Sequence, residues 1–234
     1  MEIDLIVFDM AGTRVHDGDA VHRALEGALA AAGVRASREQ INAVMGMPKP
    51  VAIQTLLAEF RGQAAASDRT VEAAHDDFLR RMLWHYGSHP DVRECPGASE
   101  IFAWCRRMGI HTAIDTGFSR AIADAILARL GWREAGLLDA TVASDEVARG
   151  RPYPDMIQHL MAATDVTDPA RVMKVGDTPV DIAQGHAAGC RYVVAVTSGS
   201  HTEDELRPHR PTHLIAALRE LKDVLGLEEE EGVA

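Results

Sequence analysis

The first apolar run, Ile3-Asp4-Leu5-Ile6-Val7-Phe8, is short and rich in β-branched residues. It stops at Asp9, with Ala11-Gly12-Thr13 just beyond. A run of this length closed by a turn predicts a buried strand. From Asp19 the period changes. Val21, Ala24, Leu25, Ala28, Leu29 and Ala32 recur at helical spacing, and Gly33 follows as a C-cap. A second helix is predicted from Ser37, with Glu39 and Gln40 in its first turn, and it breaks around Gly46-Met47-Pro48-Lys49-Pro50. The two prolines put Lys49 on a loop or in the first turn of the next helix. Val51, Ile53, Leu56, Leu57 and Phe60 then resume the helical period, and Val71 to Tyr86 reads as a further helix after a polar stretch.

From Cys95-Pro96-Gly97 onward strands and helices alternate. Strands are predicted over 110–114, 140–143, 172–175, 192–197 and 213–215, with helices over 119–130, 155–164, 181–188 and 218–225. This alternation implies an α/β fold, a Rossmann-like parallel sheet covered on both faces. The helical block 19–92 interrupts it right after the first strand. It is therefore expected to be an inserted all-helical cap with its own small core, leaving 1–18 and 93–234 as the core domain. Trp84, Trp104 and Trp132 read as packing residues, and Glu228 to Glu231 as a solvated tail.

Charge removes several classes of function. The 234 residues carry 24 Lys and Arg against 35 Asp and Glu, a net charge of −11. Such a protein repels a phosphodiester backbone, so nucleic acid is not an expected partner. No apolar run approaches the roughly 20 residues that span a bilayer. Met1 to Met10 lacks the basic start of a signal peptide. Cys95, Cys105 and Cys190 have no metal-site spacing and read as reduced thiols. The expectation is a cytoplasmic protein with no membrane partner.

Ligands of an open parallel sheet bind beyond the carboxyl ends of its strands. Four polar clusters fall there: Asp9 with Gly12-Thr13, Thr116-Gly117, Gly150-Arg151, and Asp177 with Asp181. Each alone reads as a turn or a helix cap. Together they suit phosphoryl transfer. Asp9 and Asp177 can share a hard divalent cation such as Mg²⁺. Thr116 can donate its hydroxyl to a phosphoryl oxygen, and amides around Gly12 and Gly117 can form an anion nest. Arg151 adds a fixed positive charge. An aspartate clamped against phosphorus in this way can attack it to form an aspartyl phosphate.

The arrangement resembles the haloacid dehalogenase (HAD) superfamily. Asp9-Met10-Ala11-Gly12-Thr13 corresponds to its first motif and Thr116 to its second. Arg151 stands where many members carry the third-motif lysine, and Gly176-Asp177-Thr178-Pro179-Val180-Asp181 matches the fourth. The helical block lies where the superfamily places its C1-type cap. The resemblance implies a Mg²⁺ site at Asp9, Ala11, Asp177 and Asp181.

Ala11 narrows the reading. Most phosphatases of the superfamily have an aspartate there, which protonates the leaving alkoxide. Acid–base help of this kind is worth roughly 10²–10⁴-fold. Alanine suits a carbon leaving group stabilised by an electron sink. Asp9-x-Ala11-Gly12-Thr13, Gly150-Arg151-Pro152-Tyr153-Pro154 and Lys174-Val175-Gly176-Asp177-Thr178 resemble the phosphonatase family, in which a cap lysine forms an imine with the substrate aldehyde. Met45-Gly46-Met47-Pro48-Lys49 matches the Met-Gly-x-x-Lys stretch of that family. The resemblance thus implies Asp9, Lys49, Thr116 and Arg151 as catalytic residues, and Gly12, Thr13, Met45, Gly117 and Phe118 as substrate contacts.

The sequence departs from that family at Ala52 (a histidine there), Asp19 (a cysteine), Phe118 (a tyrosine) and Arg14. The substrate is therefore expected to be phosphonoacetaldehyde or a related carbonyl phosphonate. The alternatives are a phosphatase for a small, phosphoglycolate-like monoester and a phosphoryl-binding module without catalysis. His16 and Asp17 could face the cap interface, and spare apolar surface on the cap could mediate a homodimer.

Overall fold

The computed structural model describes residues 3–13, 15, 16, 18–62 and 67–226. Arg14, Asp17, the His16 side chain and the run 228–231 lie outside what is described. Eight strands follow in chain order: β1 (Leu5–Asp9), β2 (Val15–His16), β3 (Arg93–Glu94), β4 (His111–Thr116), β5 (Ala140–Ala143), β6 (Val172–Gly176), β7 (Tyr192–Val196) and β8 (His213–Ile215). Six of them form one parallel sheet in the order β5-β4-β1-β6-β7-β8. The connections run outward from β1 in both directions, so the crevice of the sheet opens at the carboxyl end of β1, where Asp9 stands.

Every residue of β1 is buried. Ile6 and Phe8 pack on one face with Ile101 and Phe102 of α5 (Ala98–Arg107) and Ile122 and Ile126 of α6 (Arg120–Leu130). Leu5 and Val7 pack on the other with Ile157 and Leu160 of α7 (Asp155–Ala163). That two-sided burial is why β1 reads as a continuous apolar run and not an alternating one.

Between the short strands β2 and β3 the described residues form only helices: α1 (Ala20–Ala31), α2 (Arg38–Asn42), α3 (Lys49–Arg61) and α4 (Asp68–Ser88). Ser37 caps α2 with a reciprocal pair to Gln40. Lys49 takes the first turn of α3 and not the loop, with Pro50 beside it where a missing N–H costs nothing. The chain leaves for these helices through β2 and returns through β3, and the two strands pair antiparallel, Val15 with Glu94 and His16 with Arg93. A two-residue ribbon carries no periodicity, so the sequence does not announce it.

The expected separate core of the helical block is not found. Leu25, Leu29, Leu56 and Phe78 belong to the same apolar cluster as Ile6 and Phe8 of the sheet. The reason is the length of α4, 21 residues, which runs past its helical neighbours to pack along α6. At its end Tyr86 meets Phe118 edge to face, ring centroids 6.0 Å apart. Trp104 and Trp132 are packed inside, whereas Trp84 is 66% exposed on α4. No cysteine forms a disulfide among the described residues. Nor is any described helix long and apolar enough to cross a membrane.

Candidate active site

Asp9 ends β1 and Thr116 ends β4. Asp177 follows β6, and Asp181 lies in the first turn of α8 (Pro179–Ala188), which Thr178 caps. Parallel strands bring these ends to one edge of the sheet. In the register of β1 and β4, Asp9 faces Asp115. The buried Arg151 bridges the two, with Nη1 2.7 Å from an Asp9 oxygen and Nη2 2.5 Å from Asp115. Nη1 also lies 3.0 Å from Asp181. Lys174, wholly buried in β6, pairs with Asp115 and lies 3.2 Å from Asp181.

Asp177 is held from both sides. Thr13 donates to its Oδ1 at 2.9 Å, and the Ser200 amide and hydroxyl donate to its Oδ2 at 2.6 and 2.7 Å. Space around it is tight. A Cβ on Gly12, whose φ is +80°, would lie 2.4 Å from Asp177 Oδ2, so no other residue fits this turn unstrained.

Four buried carboxylates, Asp9, Asp115, Asp177 and Asp181, face two buried cations, Arg151 and Lys174. Fully ionised, these six groups sum to two negative charges, of which Lys49, buried in the wall of the same cavity, offsets at most one, so the site still calls for a cation. Asp9, Asp177 and Asp181 each offer an oxygen within 4.8 Å of the others. An all-oxygen donor set with this charge fits Mg²⁺. At Ala11 the methyl side chain has no donor, and only the main-chain carbonyl could take part.

Without a cation, burial pushes the Asp9 carboxyl up to about 7; Arg151 opposes this, and Asp181 and Asp177 add to it. Burial and Asp181 likewise raise Asp177 against its hydrogen bonds from Ser200 and Thr13. Burial alone would raise Asp181 too, but Arg151 and Lys174 hold it below its ordinary range.

A cavity of about 270 Å³ opens above this cluster. Asp9, Ala11, Gly12, Thr116, Gly117, Arg151 and Asp177 line its floor. Met45, Lys49 and Phe118 line its wall. Lys49 is 4% exposed; its Nζ donates to the Met47 carbonyl at 3.5 Å and lies 5.6 Å from the Phe118 ring centre. Thr116 Oγ1 accepts from the Phe118 amide at 3.2 Å. Thr13 and Asp181 do not line the cavity and sit behind it, against Asp177 and Arg151.

The loop before α3 is pressed into the core. A Cβ on Gly46 would lie 2.5 Å from Thr178 Oγ1, and one on Gly150 would lie 2.4 Å from Pro48 Cγ. These glycines let the loop that leads into Lys49 approach the strand ends closely.

Three residues of the site were given no role in the sequence, although Lys174 stands in a stretch quoted for the resemblance. Asp115 and Lys174 carried a usable signal, since a charged side chain inside a doubly covered strand must find a buried partner. Ser200 carried none, because its partner lies 23 residues away.

A profile of haloacid dehalogenase-like hydrolases matches residues 3–189. Phosphonoacetaldehyde hydrolase of Latilactobacillus sakei is 32% identical over 216 residues, covering 85% of this chain and 77% of that one. Phosphoglycolate phosphatase of Cereibacter sphaeroides is 31% identical over 227 residues, covering 94% and 96%. Among solved structures, a phosphonoacetaldehyde hydrolase-like protein from Oleispira antarctica superposes with a TM-score of 0.84 at 20% identity, covering 97% of this chain and 92% of that one.

Proposed function

The chain belongs to the haloacid dehalogenase-like hydrolases, and from that premise we propose that it cleaves the carbon–phosphorus bond of phosphonoacetaldehyde or a related carbonyl phosphonate. One observation carries the reading. The buried Lys49 amine lines the same cavity as the Asp9 carboxylate, while Ala11 leaves no side-chain acid to protonate an alkoxide.

The Lys49 amine condenses with the substrate carbonyl, releasing water and forming an imine. Once this is protonated, the electrons of the C–P bond flow into the carbon skeleton to give an enamine. The phosphoryl group passes to an Asp9 oxygen. Arg151 balances its charge, and Thr116 with the amides around Gly12 and Gly117 orients its oxygens. The enamine takes a proton on carbon and water frees the carbonyl product from Lys49. A second water cleaves the aspartyl phosphate, restoring Asp9 and releasing phosphate. Mg²⁺, held by Asp9, Asp177, Asp181 and the Ala11 carbonyl, supplies further offset of phosphoryl charge when bound.

Borohydride added with phosphonoacetaldehyde tests the imine. The expected result is loss of activity with a reduced two-carbon adduct on the peptide containing Lys49. Wild-type turnover by Lys49→Arg would overturn the mechanism.

A second reading, hydrolysis of a small phosphate monoester, is favoured by the near full-length match to the phosphoglycolate phosphatase. It leaves the leaving oxygen without the usual acid. Phosphate release from phosphonoacetaldehyde and from a monoester panel separates the two. Either reading assigns the protein a small phosphorus-containing metabolite.

A further inference from the structure

Beside Asp177 the cavity is closed by the chain that follows β7, where Ser198, Gly199 and Ser200 line it. A Cβ on Gly199 would overlap the Asp177 carboxylate, so this loop is pressed against the candidate ligand. Ser200 is exposed, but its neighbour His201 is buried. The loop runs directly into α9 (Glu203–Leu206), which Thr202 and Glu205 cap reciprocally, the Thr202 amide donating to Glu205 at 2.7 Å. His201 therefore stands on a fixed base next to a hydroxyl that is open to water. It does not line the cavity, and no step proposed above uses it.

Ser200 Oγ lies 2.7 Å from Asp177 Oδ2 and 3.0 Å from His201 Nδ1. A hydroxyl has one hydrogen to give, and an ionised carboxylate can only accept. With Asp177 ionised as a cation ligand, the Ser200 hydrogen goes to Asp177. The contact with His201 is then a hydrogen bond only if Nδ1 carries a hydrogen and donates it to Oγ. In the opposite tautomer Nδ1 is a bare acceptor, and it competes with Asp177 for the same Ser200 hydrogen. The choice of tautomer thus decides how many hydrogen bonds hold Oδ2. An exposed serine hydroxyl with no second anchor also turns readily to water, which breaks its bond to the carboxylate.

We infer that His201 is a positioning residue for the cation site: its Nδ1–H fixes the Ser200 hydroxyl in the orientation that donates to Asp177. It acts through Ser200 and touches neither cation nor substrate. The inference rests on the reading that a divalent cation sits at Asp177. It is the same whether the bond cleaved is carbon–phosphorus or oxygen–phosphorus.

The test is calorimetric titration with Mg²⁺ alone on the wild type, His201→Leu, His201→Asn, Ser200→Ala and the double variant Ser200→Ala with His201→Leu. His201→Leu should weaken binding about fivefold, less than the roughly 10–100-fold that a direct partner of a ligand costs, because the histidine acts one bond further out. The side-chain amide of His201→Asn can donate in place of Nδ1, so this variant should recover most of the loss. Once Ser200→Ala has removed the hydroxyl, His201→Leu should have no further effect. Nitrogen-15 NMR of the histidine rings in the Mg²⁺-loaded wild type, with the His201 signals assigned by their loss in His201→Asn, should find a hydrogen on Nδ1. Unchanged affinity in His201→Leu while Ser200→Ala loses it, equal losses in the Leu and Asn variants, additive losses in the double variant, or a hydrogen on Nε2 alone each overturns the role of His201. Unchanged affinity in Ser200→Ala, or a wild type that binds no Mg²⁺, instead overturns the placement of the cation at Asp177 and takes this role with it.

Discussion

Lys174 on β6 and Asp115 on β4 form a buried ion pair across the central strand β1, which lies between them. The pair ties three strands together at the edge where the site is built. An uncompensated buried charge costs about 3–5 kcal/mol, but Arg151 still holds Asp115 when Lys174 is removed. Lys174→Met should therefore lower stability in chemical denaturation by less than that. Adding Asp115→Leu should return part of the loss. Simple additivity of the two variants would show that the pair is not coupled.

Asp9→Asn keeps the shape of the side chain and removes the nucleophile. Phosphate release should fall by at least about 10³-fold, with the circular dichroism spectrum retained. Substantial turnover in this variant would exclude an aspartyl phosphate at position 9.

Protons and cations compete for Asp9, whose carboxyl sits at about 7 without metal. That is above its ordinary value of 3.8. Between these values the folded state holds a proton that the unfolded state has lost, so this group's contribution to stability declines as pH rises through the window. A divalent cation reverses the decline by replacing the proton. The increase in Tm produced by Mg²⁺ should thus grow from pH 5 to pH 8 and level off above it. A shift that is flat over this range contradicts the placement of the cation at Asp9.

Ser200 touches no reacting atom in the proposed scheme, yet it supplies two of the three hydrogen bonds on Asp177. Ser200→Ala keeps the amide contact and deletes the hydroxyl. Losing such support for a ligand costs roughly 10–100-fold in metal affinity. Calorimetric titration with Mg²⁺ should show a loss of about tenfold, with the Tm of the metal-free protein nearly unchanged.

Gly117 and the loop before α3 meet backbone to backbone. A Cβ at position 117 would lie 2.8 Å from the Gly46 carbonyl oxygen and 2.9 Å from that of Met47. Gly117→Ala should push this loop, and Lys49 with it, off the strand ends. A displacement of about 1 Å can cost roughly 10²-fold in rate. The expected signature is a large loss in kcat/KM together with faster proteolysis near residue 46.

Much of the site was legible because its residues follow strand ends, and strand ends are set locally. Asp9, Thr116 and Asp177 each close an apolar run, and Gly12 sits in the turn such a run requires. Asp115 and Lys174 were hidden inside comparable runs, and their meaning depends on a partner 59 positions away.

Periodicity, turn chemistry and covalent order were enough, taken alone, to define an alternating α/β chain with a helical block after its first strand, and to mark the polar clusters at the strand ends. These depend on neighbours within a few residues, which any sequence displays. Packing decided the rest: that one apolar cluster runs through both parts, that a two-residue ribbon closes the connection, that Thr13 reaches Asp177 across 164 positions, and that Lys49 faces the cavity above Asp9. Distances of that kind arise only when helices and strands settle against one another, and no local pattern encodes them.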